Sequence, residues 1–298
     1  MLPKKEIGQD FLNLFYHELV DFDLEHQNKL NLFILKIANN RFAYDELINE
    51  LYDNIITFSL SRHELDSFKN SHGGKKFIAA RDKFRDYTSN EGELGEVLLY
   101  CFLESHLEAP KILTKLEIKT ANNDYVKGAD GVHLLKLNSS DFQLIFGESK
   151  LDSDLKNGIY DAFKSIMKFL DYKKNKVRFE TNLINSQLIK ESVDDSTYDF
   201  LKKIIIPSAN EDEYNIDKSF GIFLGFDIKV DDDKKNLSNA EFRRYLRETT
   251  KNSVLSSVKT IKKQIEKKEL WGYTFYLYIV PFTELKEIRK DIIEKLTT

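Results

Sequence analysis

The chain has 298 residues, of which 41% are hydrophobic and 32% are charged, and its formal net charge is −4. A chain of this length can bury a large hydrophobic core, in one large domain or two small ones. Its composition excludes a disordered protein. The weakly negative charge excludes a histone-like polycation, so any binding of nucleic acid must depend on how the charges are distributed along the chain.

The apolar residues and the cysteine restrict the class of protein further. No run approaches the roughly 18 apolar residues of a membrane-spanning helix, and the first residues lack the apolar segment of a signal peptide. We therefore expect a cytoplasmic protein that does not associate with membranes. The single cysteine, Cys101, excludes an intramolecular disulfide and a cysteine metal cage, and its apolar neighbours predict a place in the core.

Residues 1–88 predict a mixed α+β region at the N-terminus. Leu30–Ala38 is apolar enough for a buried strand, and Tyr44–Tyr52 has the periodicity of an amphipathic helix. Ile55–Leu60 is predicted to be a second strand, and a helix is predicted to begin after Gly74. The histidines of this region have no spacing typical of metal ligands, so no chemical site is predicted here.

A stretch rich in glycine and glutamate follows. Ser89–His106 predicts a helix whose N-cap is one of its first two residues. Glu93 and Glu96 are three residues apart and therefore share a helix face. Gly92 and Gly95 each cost about 1 kcal/mol of helix stability relative to alanine, which indicates that something approaches the backbone closely. Glutamates near a helix N-terminus also fit a purely electrostatic role.

Three segments with strand patterns come next. Ile112–Thr120 alternates apolar and polar residues, and a turn at Ala121–Asp124 predicts antiparallel pairing with a strand that follows Asp130. Leu144–Phe146 is an apolar run typical of a strand that is buried on both faces. The predicted order is therefore a helix followed by three strands.

Glu148 and Lys150 stand at the end of the third strand. Alternate side chains of a strand share a face, so these two lie together, about 6–7 Å apart along the strand, while Ser149 points to the other side. Burying an acid and a lysine without partners is costly, and a divalent metal also held by Asp130 would stabilise the acid. Most such pairs at strand ends are solvated edge residues; the neighbouring motifs favour an active site.

Two later segments concentrate positive charge. Leu155–Lys176 predicts an amphipathic helix, with Lys164 and Lys168 one turn apart on its polar side. Lys234–Lys268 contains eleven Lys or Arg against three acids and predicts a long basic helix. Such runs are usually solvated faces, but beside a metal site they would contact phosphates. The residues of the basic helix that we expect to bind nucleic acid are Arg243, Arg244 and Arg247.

The remaining segments complete the predicted fold. Residues 191–217 are acidic and rich in turn residues, which indicates a surface insertion. Phe220–Ile228 predicts a buried strand, Trp271–Phe282 a last strand and Thr283–Leu296 a closing helix.

The order of these features resembles the PD-(D/E)XK nuclease core. A helix carries the acids Glu93 and Glu96, successive strands carry Asp130 and then Glu148 with Lys150, and a further helix follows. The resemblance covers residues 89–180 and implies an α/β, restriction-endonuclease-like core, in which helices flank a mixed central sheet. The later strands and helices extend this core to a domain of residues 89–298. The PD dipeptide is absent, since Ala129 precedes Asp130, and the superfamily tolerates that substitution.

Three short motifs carry a more specific resemblance: GELGE at 92–96, GADG at 128–131 and GESK at 147–150. Their order, after an N-terminal region of similar size, resembles the HamA family, the nuclease subunits of the Hachiman anti-phage defence system, which pair with the helicase HamB. The resemblance implies a deoxyribonuclease that depends on Mg²⁺ or Mn²⁺, binds DNA and forms a heterodimer with a HamB-like helicase.

The resemblance also implies a role for each residue of the site. Asp130 and Glu148 would hold the metal, with the backbone carbonyl that follows Glu148 as a further ligand. Lys150 would orient or deprotonate the attacking water. Glu96 would be an additional ligand of the metal or of the water, with Glu93 as the alternative. Spacing alone does not decide between these two glutamates.

Two other functions fit the same residues. The chain could be a catalytically silent subunit that binds DNA and holds the helicase partner, or a general metal-dependent phosphohydrolase that acts on small phosphates. The basic helix argues against a small substrate, because such a substrate needs no extended positive surface.

Overall fold

The computed structural model describes residues 3–69, 73–87, 92–114, 129–175, 192, 194–206 and 213–298. Several predicted features lie outside these residues: Ser89 and Asn90, the second half of the strand predicted at Ile112–Thr120, the turn predicted at 121–124, Gly128, the last residue of the helix predicted at Leu155–Lys176, and residues 207–212 of the predicted surface insertion.

The described part of the chain forms nine strands and ten helices. The strands are β1 (Phe15–Asp23), β2 (Lys29–Leu35), β3 (Ile37–Ala38), β4 (Arg41–Phe42), β5 (Lys111–Thr114), β6 (Gly131–Lys136), β7 (Asp141–Asp152), β8 (Asn215–Asp227) and β9 (Thr274–Phe282). The helices are α1 (Gln9–Asn13), α2 (Tyr44–Ser59), α3 (Arg62–Ser67), α4 (Gly73–Tyr87), α5 (Glu93–Ser105), α6 (Leu155–Asn175), α7 (Asp195–Ile205), α8 (Asp232–Lys235), α9 (Asn239–Lys267) and α10 (Leu285–Thr297).

Seven of the strands form one mixed sheet in the order β1-β2-β9-β8-β7-β6-β5. The four central strands β2, β9, β8 and β7 are parallel, whereas β1, β6 and β5 are antiparallel to their neighbours. This arrangement, with helices on both faces, confirms the predicted α/β architecture. Strands from residues 1–88 lie in the same sheet as the later strands, and a domain division near residue 88 stays a prediction.

Glycines in the central strands let α5 pack closely on one face of the sheet. A Cβ atom at Gly147 would lie 3.0 Å from Leu99 Cδ2, and one at Gly221 would lie 2.9 Å from Leu103 Cδ2. On the opposite face, α6 packs on β7 and β8, with Gly158 facing the strand residues. Helix α9 packs against α6. On the other face, α1, α2 and α10 pack against α5, and α4 packs against α2 and α10. The sheet is therefore buried on both faces.

The strand predicted at Ile55–Leu60 is wrong, because these residues continue helix α2. Leu47, Leu51, Ile55 and Phe58 are spaced four, four and three residues apart and are all nearly fully buried. This spacing places them on one apolar helix face. The β-branched residues near the end of α2 favour a strand only weakly, and burial of the shared face overrides that preference.

The buried Glu104 ties the N-terminal segment to the sheet. Its carboxylate accepts hydrogen bonds from the backbone N–H groups of Glu6, Ile7 and Lys111, at 2.5, 3.1 and 2.8 Å. The Lys111 ammonium in turn donates to two backbone carbonyls at the end of α2. Because a buried N–H group without an acceptor is costly, this carboxylate holds together α5, β5 and the segment before α1.

We predict that Glu104→Ala lowers the free energy of unfolding by about 3–5 kcal/mol, since it leaves three backbone donors without their acceptor. The matched control is Glu108→Ala, which removes a carboxylate whose side chain is 69% exposed and pairs with Lys5; a surface pair of this kind contributes at most about 1 kcal/mol. Urea unfolding of both variants measures the difference. Equal losses in the two variants would contradict the assigned role of Glu104.

Candidate active site

The candidate site lies where β7 continues beyond its neighbour β6. Val132 and Phe146 are the last paired residues of these two strands at this end, and the backbone N–H of Asp130 then donates to the Gly147 carbonyl at 2.8 Å. From Glu148 onwards, β7 pairs within the described residues only with β8. The open edge of β7 therefore begins at the motif that the sequence singled out.

The carboxylate of Asp130 occupies this open edge. Its Oδ2 atom accepts hydrogen bonds from the backbone N–H and the hydroxyl of Ser149, at 2.7 and 2.8 Å. The carboxylate thus takes the place of the backbone acceptor that a longer β6 would supply. Hydrogen bonds to a charged acceptor are stronger than those to a neutral one. Because the N–H and C=O of one strand residue point to the same side, the Ser149 carbonyl faces this edge as well.

Glu148 and Lys150 lie on the other face of β7, as strand alternation predicted. The Lys150 ammonium is 2.5 Å from Glu148 Oε1. Glu148 is 5% exposed, whereas 31% of the Lys150 side chain is exposed. The acid is therefore buried at the edge of the sheet, and the lysine connects it to the surface.

Negative charge is in excess at this site. Burial, and then the nearby charge of Asp130, raise the pKa of Glu148 to about 7, although the Lys150 ammonium and a hydrogen bond with Ser165 of α6 act in the opposite direction. Glu148 thus contacts one lysine and lies close to a second carboxylate. A cation between the carboxylates would offset their mutual repulsion and the cost of burying them.

The glycines of α5 explain how the helix reaches the site. A Cβ atom at Gly95 would lie 3.2 Å from both Cβ and Oγ of Ser149, and one at Gly92 would lie 3.2 Å from Glu96 Oε1. This confirms the predicted close approach to the backbone. The described helix begins at Glu93, and its N-cap is Gly92, without a side-chain bond; the predicted caps, Ser89 and Asn90, lie outside the described residues.

The structure brings Glu96 and Asp130 to one small cavity between α5 and the sheet. Glu93 and Glu96 are both buried, but Glu96 lines this cavity and Glu93 does not. Helix α5 packs on the Ser149 side of β7, so Glu96 approaches the edge from the face opposite to Glu148. Of the two alternatives that the sequence left open, this geometry favours Glu96.

His133 lines the same cavity and was not singled out by the sequence. Its ring is fully buried, and burial lowers its pKa to about 4, so the ring is neutral at physiological pH. The ring Nδ1 donates to the Ala109 carbonyl at 2.8 Å. Only its position just after the GADG motif hints at the site, because a lone histidine lacks the spacing that is typical of paired histidine ligands.

The residues present fit a magnesium ion in part. Among the described residues, no group of three His, Cys, Asp or Glu side chains is arranged to hold a metal ion. Mg²⁺ keeps several waters and commonly takes one or two carboxylates from the protein. The excess negative charge at Asp130 and Glu148 and the edge-facing carbonyl of Ser149 meet that smaller requirement.

The predicted nucleic-acid contacts lie in two places on the α6 face of the sheet. Lys164 and Lys168 are exposed on α6, on either side of the Ser165 that bonds with Glu148. On α9, Arg244 is exposed and Arg243 is half-buried. The predicted residues therefore form two separate groups, one of which borders the site.

Arg247 is held by the protein itself. Its guanidinium forms an ion pair with Glu18 of β1 and lies over the Tyr16 ring, 4.4 Å from the centroid. Lys262, further along α9, pairs with Glu25 in the same way. Part of the charge that the sequence placed on the basic helix thus stabilises its packing against the β1–β2 hairpin, and a role of Arg247 in binding DNA stays a prediction.

A family model described as HamA matches residues 9–296 of the chain. The chain belongs to the HamA family. Members of the HamA family are components of the Hachiman system, which gives the chain a role in anti-phage defence. Searches of curated proteins and of solved structures found no match. None of the described helices has the length and apolar character needed to cross a membrane.

The raised pKa of Glu148 predicts how stability depends on pH. Between the ordinary value of 4.5 and about 7, the folded state binds more protons at this carboxyl than the unfolded state does. Glu148 therefore contributes a decrease of about 1–3 kcal/mol in the free energy of unfolding of the metal-free protein as pH rises through this range. The buried His133, whose pKa is lowered, contributes in the opposite direction, so the contribution of Glu148 is the difference between the wild type and Glu148→Gln. Urea unfolding of both proteins in EDTA at pH 5 and pH 8 measures this difference.

Glu148→Gln should remove the contribution of this carboxyl, because glutamine does not titrate. The matched control is Asp141→Asn at the start of the same strand, where hydrogen bonds from Asn215 and Asn138 lower the pKa of the carboxyl. That variant should keep the pH dependence of the wild type between pH 5 and pH 8. An unchanged pH dependence in Glu148→Gln would contradict the assignment.

Proposed function

We propose that this HamA-family chain is a metal-dependent deoxyribonuclease, which acts in the cytoplasm as the effector of a Hachiman complex with a HamB-like helicase. The observation that carries the proposal is the open edge of β7. There, Asp130 is fixed by Ser149, and Glu148 is buried beside it with Lys150 at 2.5 Å. Membership of a defence family supports a nuclease, because cleavage of DNA is a direct way to stop a phage.

A metal ion would be held by Asp130 and Glu148, with the Ser149 carbonyl beside them. When bound, Mg²⁺ or Mn²⁺ supplies a Lewis acid and lowers the pKa of a coordinated water. The two hydrogen bonds from Ser149 hold the Asp130 carboxylate in one orientation, and the burial of Glu148 keeps competing water away. The chain therefore presents its carboxylates already in place, at no cost of rearrangement during the reaction.

Lys150 has two tasks in this proposal. Its ammonium lies at the boundary between the buried acid and solvent, where it offsets the negative charge of a phosphate group. The same side chain, as a neutral amine, would orient or deprotonate the attacking water. Glu96, which lines the cavity beside Asp130, positions water from the α5 face, and Glu93 stays the alternative.

The surface around the site supports DNA as the substrate. Lys164 and Lys168 border the active site on α6, and Arg244 adds a further exposed charge on α9. Cations spread over two helices fit an extended phosphate backbone better than a small phosphate ester. This favours a nuclease over a general phosphohydrolase.

One observation favours a catalytically silent subunit instead. No group of three metal-binding side chains forms among the described residues, whereas catalysis by a firmly held metal often uses more than two protein ligands. In that case the same surfaces would bind DNA and the helicase partner without cleaving. Cleavage experiments separate the two functions.

We predict that the purified protein cleaves plasmid or linear DNA with Mg²⁺ or Mn²⁺ and not with EDTA, alone or together with the helicase and ATP. Asp130→Asn, Glu148→Gln and Lys150→Met should each lower the cleavage rate by at least about 100-fold, since each removes charge or proton transfer at the reacting phosphate. Asp141→Asn, which changes a half-buried carboxylate at the other end of the same strand, is the matched control and should cleave normally.

Two results would count against the nuclease. If no metal and no partner gives cleavage while DNA or helicase still binds, the silent-subunit function is correct. If cleavage persists in Glu148→Gln and in Lys150→Met, the activity belongs to another site or to a contaminant. Co-elution with the helicase tests the proposed heterodimer independently of cleavage.

DNA binding provides a further prediction. Lys164→Ala with Lys168→Ala should weaken binding of duplex or single-stranded DNA by about tenfold at moderate salt, because two phosphate contacts are lost. The matched control is Lys286→Ala with Lys290→Ala, two exposed lysines that are also one turn apart on a helix, but on α10 at the opposite face of the sheet. Equal weakening by both pairs would show that the α6 lysines form no specific contact.

A further inference from the structure

Tyr160 is an exposed aromatic side chain within a row of lysines on α6. It is 49% exposed and lies four residues after Lys156 and four before Lys164. Residues four apart lie next to each other on a helix surface, about 6 Å apart along the axis. Lys168 continues the row by one more turn. We call these four residues the α6 ridge.

The lysines of the α6 ridge are available to a ligand. All three are exposed, and none forms an ion pair within the described part of the chain. Arg247 and Lys262 of α9 differ in this respect, because they pair with Glu18 and Glu25. Asp161 is exposed beside Tyr160, so the positive charge belongs to the ridge and not to the whole solvent face of the helix.

The ridge leads to the candidate active site. Ser165, which faces Glu148 and lowers the pKa of that carboxyl, follows Lys164 directly and shares a face with Lys168. Tyr160 lies five residues before Ser165, which is about 7–8 Å along the helix axis and about 140° around it. A nucleic-acid strand along the ridge would therefore pass Lys168, next to the Ser165 that faces Glu148, and reach the Tyr160 ring on the outer side of α6.

The combination of a ring and flanking cations distinguishes between forms of DNA. Lysines bind the phosphates of single strands and of duplexes, because both backbones carry one negative charge per nucleotide. An aromatic ring gains stacking energy only from the flat face of a base, and in a duplex the bases cover each other's faces. Rows of cations with interspersed aromatic side chains are accordingly typical of proteins that bind single strands.

We propose that Tyr160 stacks on an unpaired base while Lys156, Lys164 and Lys168 hold the backbone, so that single-stranded DNA is the preferred substrate of this site. The inference rests on the proposed nuclease function, and it specifies which form of DNA reaches Glu148. A helicase partner would fit it, since unwinding produces single strands.

The test is the binding of a fluorescently labelled strand of about 20 nucleotides, and of the duplex of the same sequence, by the full chain in EDTA. Tyr160→Ala should weaken single-strand binding on the order of tenfold and leave duplex binding unchanged. Tyr160→Phe should bind like the wild type, because it keeps the ring. Tyr160→Leu should behave like the alanine variant, because it keeps apolar bulk without a ring.

Two controls show whether the effect belongs to the ring of Tyr160. Trp271→Ala removes an aromatic side chain that is 50% exposed and lies outside the ridge, and it should not change binding. The salt dependence separates stacking from charge: Lys156→Ala with Lys164→Ala should lower the slope of log affinity against log salt by about 1.4, whereas Tyr160→Ala should leave the slope unchanged. The thermal unfolding of Tyr160→Ala should match the wild type, since the side chain is half-exposed.

The outcomes distinguish this inference from the function on which it rests. If Tyr160→Ala binds single strands within twofold of the wild type, or weakens duplex binding equally, the preference for single strands is overturned. The nuclease function would survive that result if cleavage still depended on Glu148 and metal. If neither form of DNA is bound or cleaved, both proposals fail.

Discussion

The hydrogen bonds from Ser149 to Asp130 are the contact on which the candidate site depends. They satisfy the hydrogen-bonding groups of Ser149 beyond the end of β6. They also hold the Asp130 carboxylate close to Glu148. The same Ser149 side chain is the surface against which Gly95 of α5 packs. One residue thus sets the position of Asp130, the approach of α5 and, through α5, the position of Glu96.

The site is built at a cost to stability. Glu148 is buried close to a second carboxylate, which raises its pKa although it contacts Lys150. A protein that needed only a folded core would gain from apolar residues at these positions. This arrangement of charges is unfavourable without a cation, and a bound cation would stabilise it. Buried acids with raised pKa values cluster at functional sites.

The two faces of the sheet contribute different parts. Helix α5 contributes the buried Glu96, and the cavity lined by the neutral His133 lies between α5 and the sheet. This side of the sheet is therefore closed to solvent. Helix α6 supplies Ser165 next to Glu148 and exposed lysines along its outer side. The edge of β7 is therefore reached from both faces, by the buried Glu96 side of α5 and by the lysine-bearing helix α6, at residues 148–150 of the strand.

The sequence by itself determined the strands β6 and β7, the helices α5 and α6 and the order of their motifs, because alternation, helical periodicity and glycine placement are local properties of the chain. It failed at Ile55–Leu60, where burial along α2 outweighed a local strand preference. Only the tertiary structure decided that β1 and β2 join the sheet beside β9, that Ser149 anchors Asp130, and that Arg247 pairs with Glu18. These contacts join residues far apart in the chain, and they depend on how whole elements pack, which no local pattern encodes.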